Sequence, residues 1–151
     1  MTYEDTDKLC DYMTRRHECL GQLCELGCRQ LELIAVGDLG TLLKVLSVKQ
    51  RLLVNLQSIE RALDPHREES PETRCWRSPT QREHCAHLAA ECNAYLRTIV
   101  TQEKQSEQEL NQHRADAAAR LQGAHTAAQA CGAYAADVST LSGHLDLSCD
   151  Q

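Results

Sequence analysis

The chain has 151 residues, carries a formal net charge of -6, and contains no phenylalanine and only 3% aromatic residues. The acidic balance, with no basic patch and no aromatic residues interleaved with Arg and Lys, argues against a nucleic-acid partner. No apolar run approaches the roughly 20 residues of a membrane span, and the polar start Met-Thr-Tyr-Glu-Asp-Thr-Asp-Lys is not a secretory signal.

Leu, Ala, Glu, Gln and Arg dominate, and strand-favouring runs are almost missing, so the expected fold class is all-α. The length suits one domain. With few large side chains, we expect an elongated antiparallel helical hairpin or bundle, one side chain deep, occupying residues 1–141. The nine cysteines are Cys10, Cys19, Cys24, Cys28, Cys75, Cys85, Cys92, Cys131 and Cys149, an odd number without a Cys-x-x-C pair. Lacking a signal peptide, the chain is expected in a reducing cytoplasm, with its thiols free and acting as small apolar side chains.

The first expected helix covers about residues 4–35, where Leu9, Tyr12 or Met13, Leu20, Leu23, Leu31 and Ile34 recur at three- and four-residue intervals. Gly21 and Gly27 weaken it by roughly 1 kcal/mol each against Ala, and admit a close neighbour. Gly37 is a natural end for this helix and Asp38 a natural N-cap for the next. So short a connection makes the two helices antiparallel neighbours.

The second expected helix, 39–63, is the leucine-rich centre of the chain. Counted in sevens from Leu39, its core positions are Leu39, Leu42, Leu46, Lys49, Leu53, Leu56, Glu60 and Leu63. Val45, Leu52 and Ile59 widen this stripe on one side. Asp64-Pro65 ends the helix, because a proline disfavours helical geometry in the residue before it. A loop over 64–78 holds two of the three prolines and the only tryptophan, Trp76, whose ring is expected to fold back onto the end of the bundle. A contact of Trp76 with a partner is the alternative.

Ser78-Pro79-Thr80-Gln81 starts the third helix, with Ser78 as cap, Pro79 at the first helical position and Gln81 reaching back. The helical pattern runs over 79–140, about 90 Å if unbroken. Leu88, Cys92, Tyr95, Leu96, Ile99 and Val100 form its first apolar face. Gln102 to Glu109 is polar throughout, and marks a point where the helix could kink. Glu103 and Glu107 in this run read as a solvated face. A thinner stripe then resumes at Leu110, Ala117, Leu121, Ala124, Ala128, Cys131, Ala135 and Val138. An alanine face buries little area and so holds weakly to its own bundle. Residues 110–140 are therefore expected either to extend as an arm that takes a partner or to turn back as a fourth helix. Residues 142–151 read as a flexible tail.

No catalytic constellation is present: there is no phosphate-binding loop, nucleophile elbow or convincing Cys/His pair. Cys24 with Cys28, and His84, Cys85 and His87, are the nearest approach to a soft-metal site. They lack the tight cysteine pairs of structural zinc, so no metal or other cofactor is expected.

Gly37-Asp38-Leu39, the Lys49-Gln50 pair followed by Leu52-Leu53, and Leu56 to Glu60-Arg61 resemble the flagellar type III export chaperones of the FlgN family. The similarity extends to the plan of a helical hairpin, a polar loop and a long amphipathic last helix with a tyrosine near its end, here Tyr134. The resemblance implies a cytoplasmic chaperone that holds hook-associated (hook-filament junction) proteins and delivers them to the export gate. It implies a protein-binding surface formed by Leu110, Ala117, Leu121, Ala124, Ala128, Cys131 and Tyr134, with Tyr134 close to the export-gate contact. The chain departs from the family in its Gln102–Glu109 run and in its cysteine content. A self-associating coiled-coil module, including a homodimer, is the alternative function; a thiol-rich metal-binding protein is a third.

Overall fold

The computed structural model describes residues 1–145, with side chains described as far as residue 140. It is all-α: α1 is Tyr3–Val36, α2 is Leu39–Arg67 and α3 is Pro79–Leu145, with a single 3-10 turn at Pro71–Thr73. No strand occurs among the described residues. The chain divides into two units, Met1–Glu109 and Leu110–Gln151. The first holds the described core, and the described part of the second, as far as Leu145, is a single helical segment.

Local chemistry sets the helix ends. At the start of α1 the Thr2 hydroxyl accepts from the Asp5 backbone N–H while the Asp5 carboxylate accepts from the Thr2 N–H, a reciprocal capping box. Gly37 ends α1 in the left-handed region at φ 75°, and its N–H and that of Asp38 donate to the Ile34 and Leu33 carbonyls. The Asp38 carboxylate caps α2 by accepting from the Thr41 N–H at 3.1 Å. At α3 the Ser78 hydroxyl accepts from the Gln81 N–H, whereas the Gln81 side chain reaches one residue beyond the cap, to the Arg77 N–H.

One boundary differs from expectation. Helix α2 does not stop at Asp64-Pro65 but continues to Arg67, with Pro65 inside its last turn. Near a helix end a proline removes only one backbone hydrogen bond. That turn is held from the side instead, because Arg67 bonds both Asp64 and Glu60. Helix α3 is unbroken through 102–109 and remains helical to Leu145, into the stretch read as a tail; residues 146–151 of that tail lie outside the described part.

Contacts at matched levels give the topology of the first unit. The Arg16–Glu60, Cys19–Leu52 and Gln30–Lys49 pairs make α1 and α2 antiparallel. His17–Glu91, Cys24–Tyr95 and Cys24–Gln102 make α3 run parallel to α1. Two apolar clusters fill the interior. The larger one gathers Leu9, Cys19, Leu20, Leu23, Ile59, Leu63 and Cys92; the smaller one, near the α1–α2 turn, gathers Leu33, Ile34, Leu42 and Val45.

Between the clusters lies a polar layer that the leucine count did not foretell. Lys49 is buried, donates to the Gln30 Oε1 at 2.6 Å and pairs with Glu103. Gln102 and Ser106 are buried on α3, and the Gln102 amide donates to the Cys24 carbonyl at 3.0 Å. Two residues of the Gln102–Glu109 run, Gln102 and Ser106, therefore pack inward. Glu103, expected on a solvated face with Glu107, is the counter-ion of Lys49, because a buried ammonium needs an anion within reach.

Gly27 makes that layer fit. A Cβ built there would stand 2.1 Å from the Gln102 Oε1, whereas one at Gly21 would meet the Tyr95 ring at an ordinary 3.6 Å. Gly21→Ala is expected to raise stability by about 0.5–1 kcal/mol through helix propensity. Gly27→Ala is expected to lower it by about 1–2 kcal/mol, since the displaced Gln102 loses its bond to Cys24. Urea midpoints of the two variants check the opposite signs. At Lys49 the expectation is that Lys49→Ala costs about 2–3 kcal/mol by stranding the buried Gln30 oxygen, while Lys49→Met with Gln30→Leu comes within about 1 kcal/mol of the parent. The same titrations decide it.

Candidate functional site: two uncovered helix faces and an end cavity

The seven residues singled out from the sequence, Leu110, Ala117, Leu121, Ala124, Ala128, Cys131 and Tyr134, all lie on α3 in the second unit. Every described side chain from 110 to 140 is exposed. Leu121 and Tyr134 are 72% and 73% exposed, and Leu110 is at 37%. The spacing from Ala117 through Leu121, Ala124, Ala128 and Cys131 alternates four and three residues, so these side chains form one straight seam. Tyr134 sits beside the seam rather than in it. Helical order here rests on local bonds such as Gln112 to Asp116 at 3.0 Å and Thr126 to the Gln122 carbonyl at 2.9 Å. Among the described residues, none of the second unit covers the seam.

A second uncovered face, on α2, corrects the reading of the leucine stripe. The buried seam is Leu42, Val45, Lys49, Leu52, Leu56, Ile59 and Leu63, with Leu52 and Leu56 half-buried. Leu39, Leu46 and Leu53, taken as core positions, are 61%, 38% and 44% exposed, and Leu43 is 65% exposed. The two seams share Leu42, Lys49, Leu56 and Leu63, so a heptad count fits either. A sequence signal did favour the right one. The buried seam contains one polar residue, Lys49, whereas the seam through Leu39 and Leu46 contains Lys49 and Glu60.

The third feature is a cavity of about 370 Å3 where the loop meets α1, α2 and α3 of the first unit. Leu9, Met13, Leu63, Trp76 and Cys85 contribute apolar wall, and Arg16, Arg67, Arg74 and Arg82 ring it. Trp76 thus folds back onto the bundle end, half-buried. The loop that carries it is pinned to the α1 N-terminus: Arg77 pairs with Asp7 at 2.7 Å, Gln81 donates to Asp7 at 3.0 Å, and the Cys75 thiol donates to the Met1 carbonyl at 2.9 Å. Arg77 and Gln81 hold the Asp7 carboxyl below the usual range.

None of the eight described cysteines forms a disulfide. Burial pushes the Cys19, Cys24 and Cys92 thiols up, and burial together with the neighbouring Cys10 pushes Cys85 up to about 12. These thiols stay protonated at neutral pH and pack as small apolar groups. His84 and His87 are exposed while Cys85 is buried, so the trio does not converge, and among the described residues no three His, Cys, Asp or Glu side chains gather around one point. No described helix is long and apolar enough to cross a membrane.

With this geometry established, comparison with known proteins adds no relative: no family model, curated protein or solved structure matches the chain.

Glu60 is the acidic anchor of the cavity rim. Burial alone would push its carboxyl up, but the bonds from Arg16 and Arg67 outweigh that and hold it below its ordinary 4.5. A depressed folded-state value contributes stability that is present above pH 4.5 and is lost as pH falls below it. Glu60→Gln is therefore expected to lower stability at pH 7 by about 1–2 kcal/mol and to flatten the acid limb of the stability curve. Denaturation at a series of pH values from 7 down to ~3 reads both effects.

Proposed function

We propose that the protein is a helix-binding chaperone of the flagellar export type. In this reading it holds the helical terminus of a hook-associated protein in the cytoplasm and delivers it to the type III export gate. The observation that carries the reading is the uncovered seam of α3, with Leu121 and Tyr134 nearly three-quarters exposed. A lone helix face of alanines with two leucines is under-filled for packing on its own chain. It suits a client helix that brings the larger side chains, in the helix-in-groove manner.

The weakness of such a face has a functional use. At about 25 cal/mol per Å2, alanines contribute little area each, so affinity depends on the client's leucines or isoleucines. Binding of this kind is reversible, as delivery to an export gate demands. Tyr134 beside the seam is the residue proposed to meet the gate. A partly unfolded client terminus also pays its ordering entropy on binding, which lowers its affinity and favours release.

The exposed leucines of α2 favour a second reading. Leu39, Leu43, Leu46 and Leu53 form a heptad-spaced face of the kind that pairs with a second helix. Here the protein would self-associate into a homodimer through α2.

Peptides from the termini of hook-associated proteins, added to the full chain, test the first reading. The expected result is slowed amide exchange over residues 110–138, together with a loss of about tenfold or more in affinity for Leu121→Glu with Ala128→Glu. Both positions are exposed, so the first unit keeps its stability. No protection from any such peptide would overturn the chaperone reading. Sedimentation of the client-free protein separates the second: a dimer abolished by Leu43→Glu with Leu53→Glu supports it.

A further inference from the structure

We propose that the cavity at the loop end of the first unit is a binding site for a small carboxylate with an apolar aromatic or alkyl body. This proposal is independent of the client-holding seam, since it concerns only residues 1–109.

The charge balance of the rim points to an anion. Arg16 and Arg67 are already satisfied, because both bond Glu60 and Arg67 also bonds Asp64. Arg74 and Arg82 have no carboxylate partner among the described residues. Arg74 donates only to the His66 backbone carbonyl, at 2.7 Å. Two positive charges without a carboxylate partner therefore border a space whose remaining wall is largely apolar apart from Arg16, Arg67 and His66. His66 Nδ1 is likewise buried without a hydrogen-bond partner, the Glu69 carboxylate standing 3.6 Å away, beyond hydrogen-bond reach.

Unpartnered donors say the same thing independently. The Arg74 Nε and the Trp76 indole Nε1 are buried and make no hydrogen bond within the described chain. A buried donor left unpaired is costly, and buried polar groups nearly always have a partner. Both donors sit on residues of the cavity wall, and both are N–H groups, so the missing partner is an acceptor. Neither atom is accessible from the cavity as it stands, so a carboxylate, with two acceptor oxygens and one negative charge, meets them as the Arg74 and Trp76 side chains turn toward it.

The apolar side of the wall sets the rest of the ligand. Leu9, Met13 and Leu63 face the same space as the Trp76 ring. A volume of about 370 Å3 lies at the lower end of small-molecule sites, which span about 300–1,000 Å3. A compact hydrophobic acid fits that size; a free inorganic anion leaves the apolar wall unused. The walls are held in place before binding by the contacts of Arg77, Gln81 and Cys75 to the N-terminus. A preformed site loses less on binding than one that must first be ordered.

Trp76 is the only tryptophan in the chain, so it reports on its own pocket. The probes are 4-phenylbutyrate, its neutral amide and inorganic phosphate, titrated into the full-length protein. With 4-phenylbutyrate we expect a saturable change in tryptophan fluorescence and a downfield move of the single indole N–H resonance as it gains an acceptor. The amide should bind at least about tenfold more weakly, and phosphate should give no saturable change. Arg82→Gln, at an exposed position, should weaken phenylbutyrate binding by about tenfold, and Ala86→Phe, which fills the cavity from an exposed position, should abolish it. Unchanged helicity in both variants keeps the comparison valid where Arg74→Gln disturbs the loop. No saturable response to phenylbutyrate, equal binding of acid and amide, or full binding by Ala86→Phe would each overturn the proposal.

Discussion

The ion pair and hydrogen bonds around Lys49 set the register of the first unit. Its ammonium group is drawn inward by Gln30 from α1 and Glu103 from α3, so three helices converge on one charge. An apolar seam tolerates a slide of one turn, because one leucine replaces another. A buried ammonium does not, since sliding leaves it without acceptors in a dry interior. Gly27 and Gln102 tighten the same level from the other side, where the buried Gln102 amide lies against Gly27 and a methyl group there would displace it. The two apolar clusters flank this layer, and their packing is fixed by it.

Once that level is set, the faces of α2 follow. Lys49 points inward, which carries Val45, Leu52 and Ile59 in with it and leaves Leu39, Leu43, Leu46 and Leu53 outside. The helix thus carries two apolar seams and covers one. In the second unit the seam through Ala117, Leu121, Ala124, Ala128 and Cys131 is uncovered for a different reason: it is too thin to reward burial. One exposed face is rich and the other is poor. The rich one offers large apolar side chains to solvent, and the poor one offers little apolar area.

The loop between α2 and α3 behaves as part of the structure rather than a tether. Asp7, Arg77, Gln81 and Cys75 fasten it, and Trp76 roofs a space bordered by arginines. Charge is distributed unevenly there. Glu60 and Asp64 together balance the Arg16 and Arg67 guanidinium groups while Arg74 and Arg82 remain without acids, so a chain of net charge -6 keeps a local cationic site at one end.

Much of the fold was legible in the residues. Helical class follows from Leu, Ala, Glu and Gln in place of β-branched and aromatic runs. The Gly37-Asp38 turn and the Ser78-Pro79 start were readable because capping is local chemistry between neighbours in the chain. The candidate seam on α3 was also visible, as a stripe too weak to bury itself. What stayed hidden needed long-range information. Which of the two α2 seams is covered depends on where α1 and α3 lie, and Glu103 looks solvated until Lys49, 54 residues away, is placed beside it. Pro65 inside a helix depends on side-chain bonds around it, and the end cavity exists only because a loop and three helix segments meet. Local propensity decides which stretches are helices; tertiary contact decides which of their faces are left to bind.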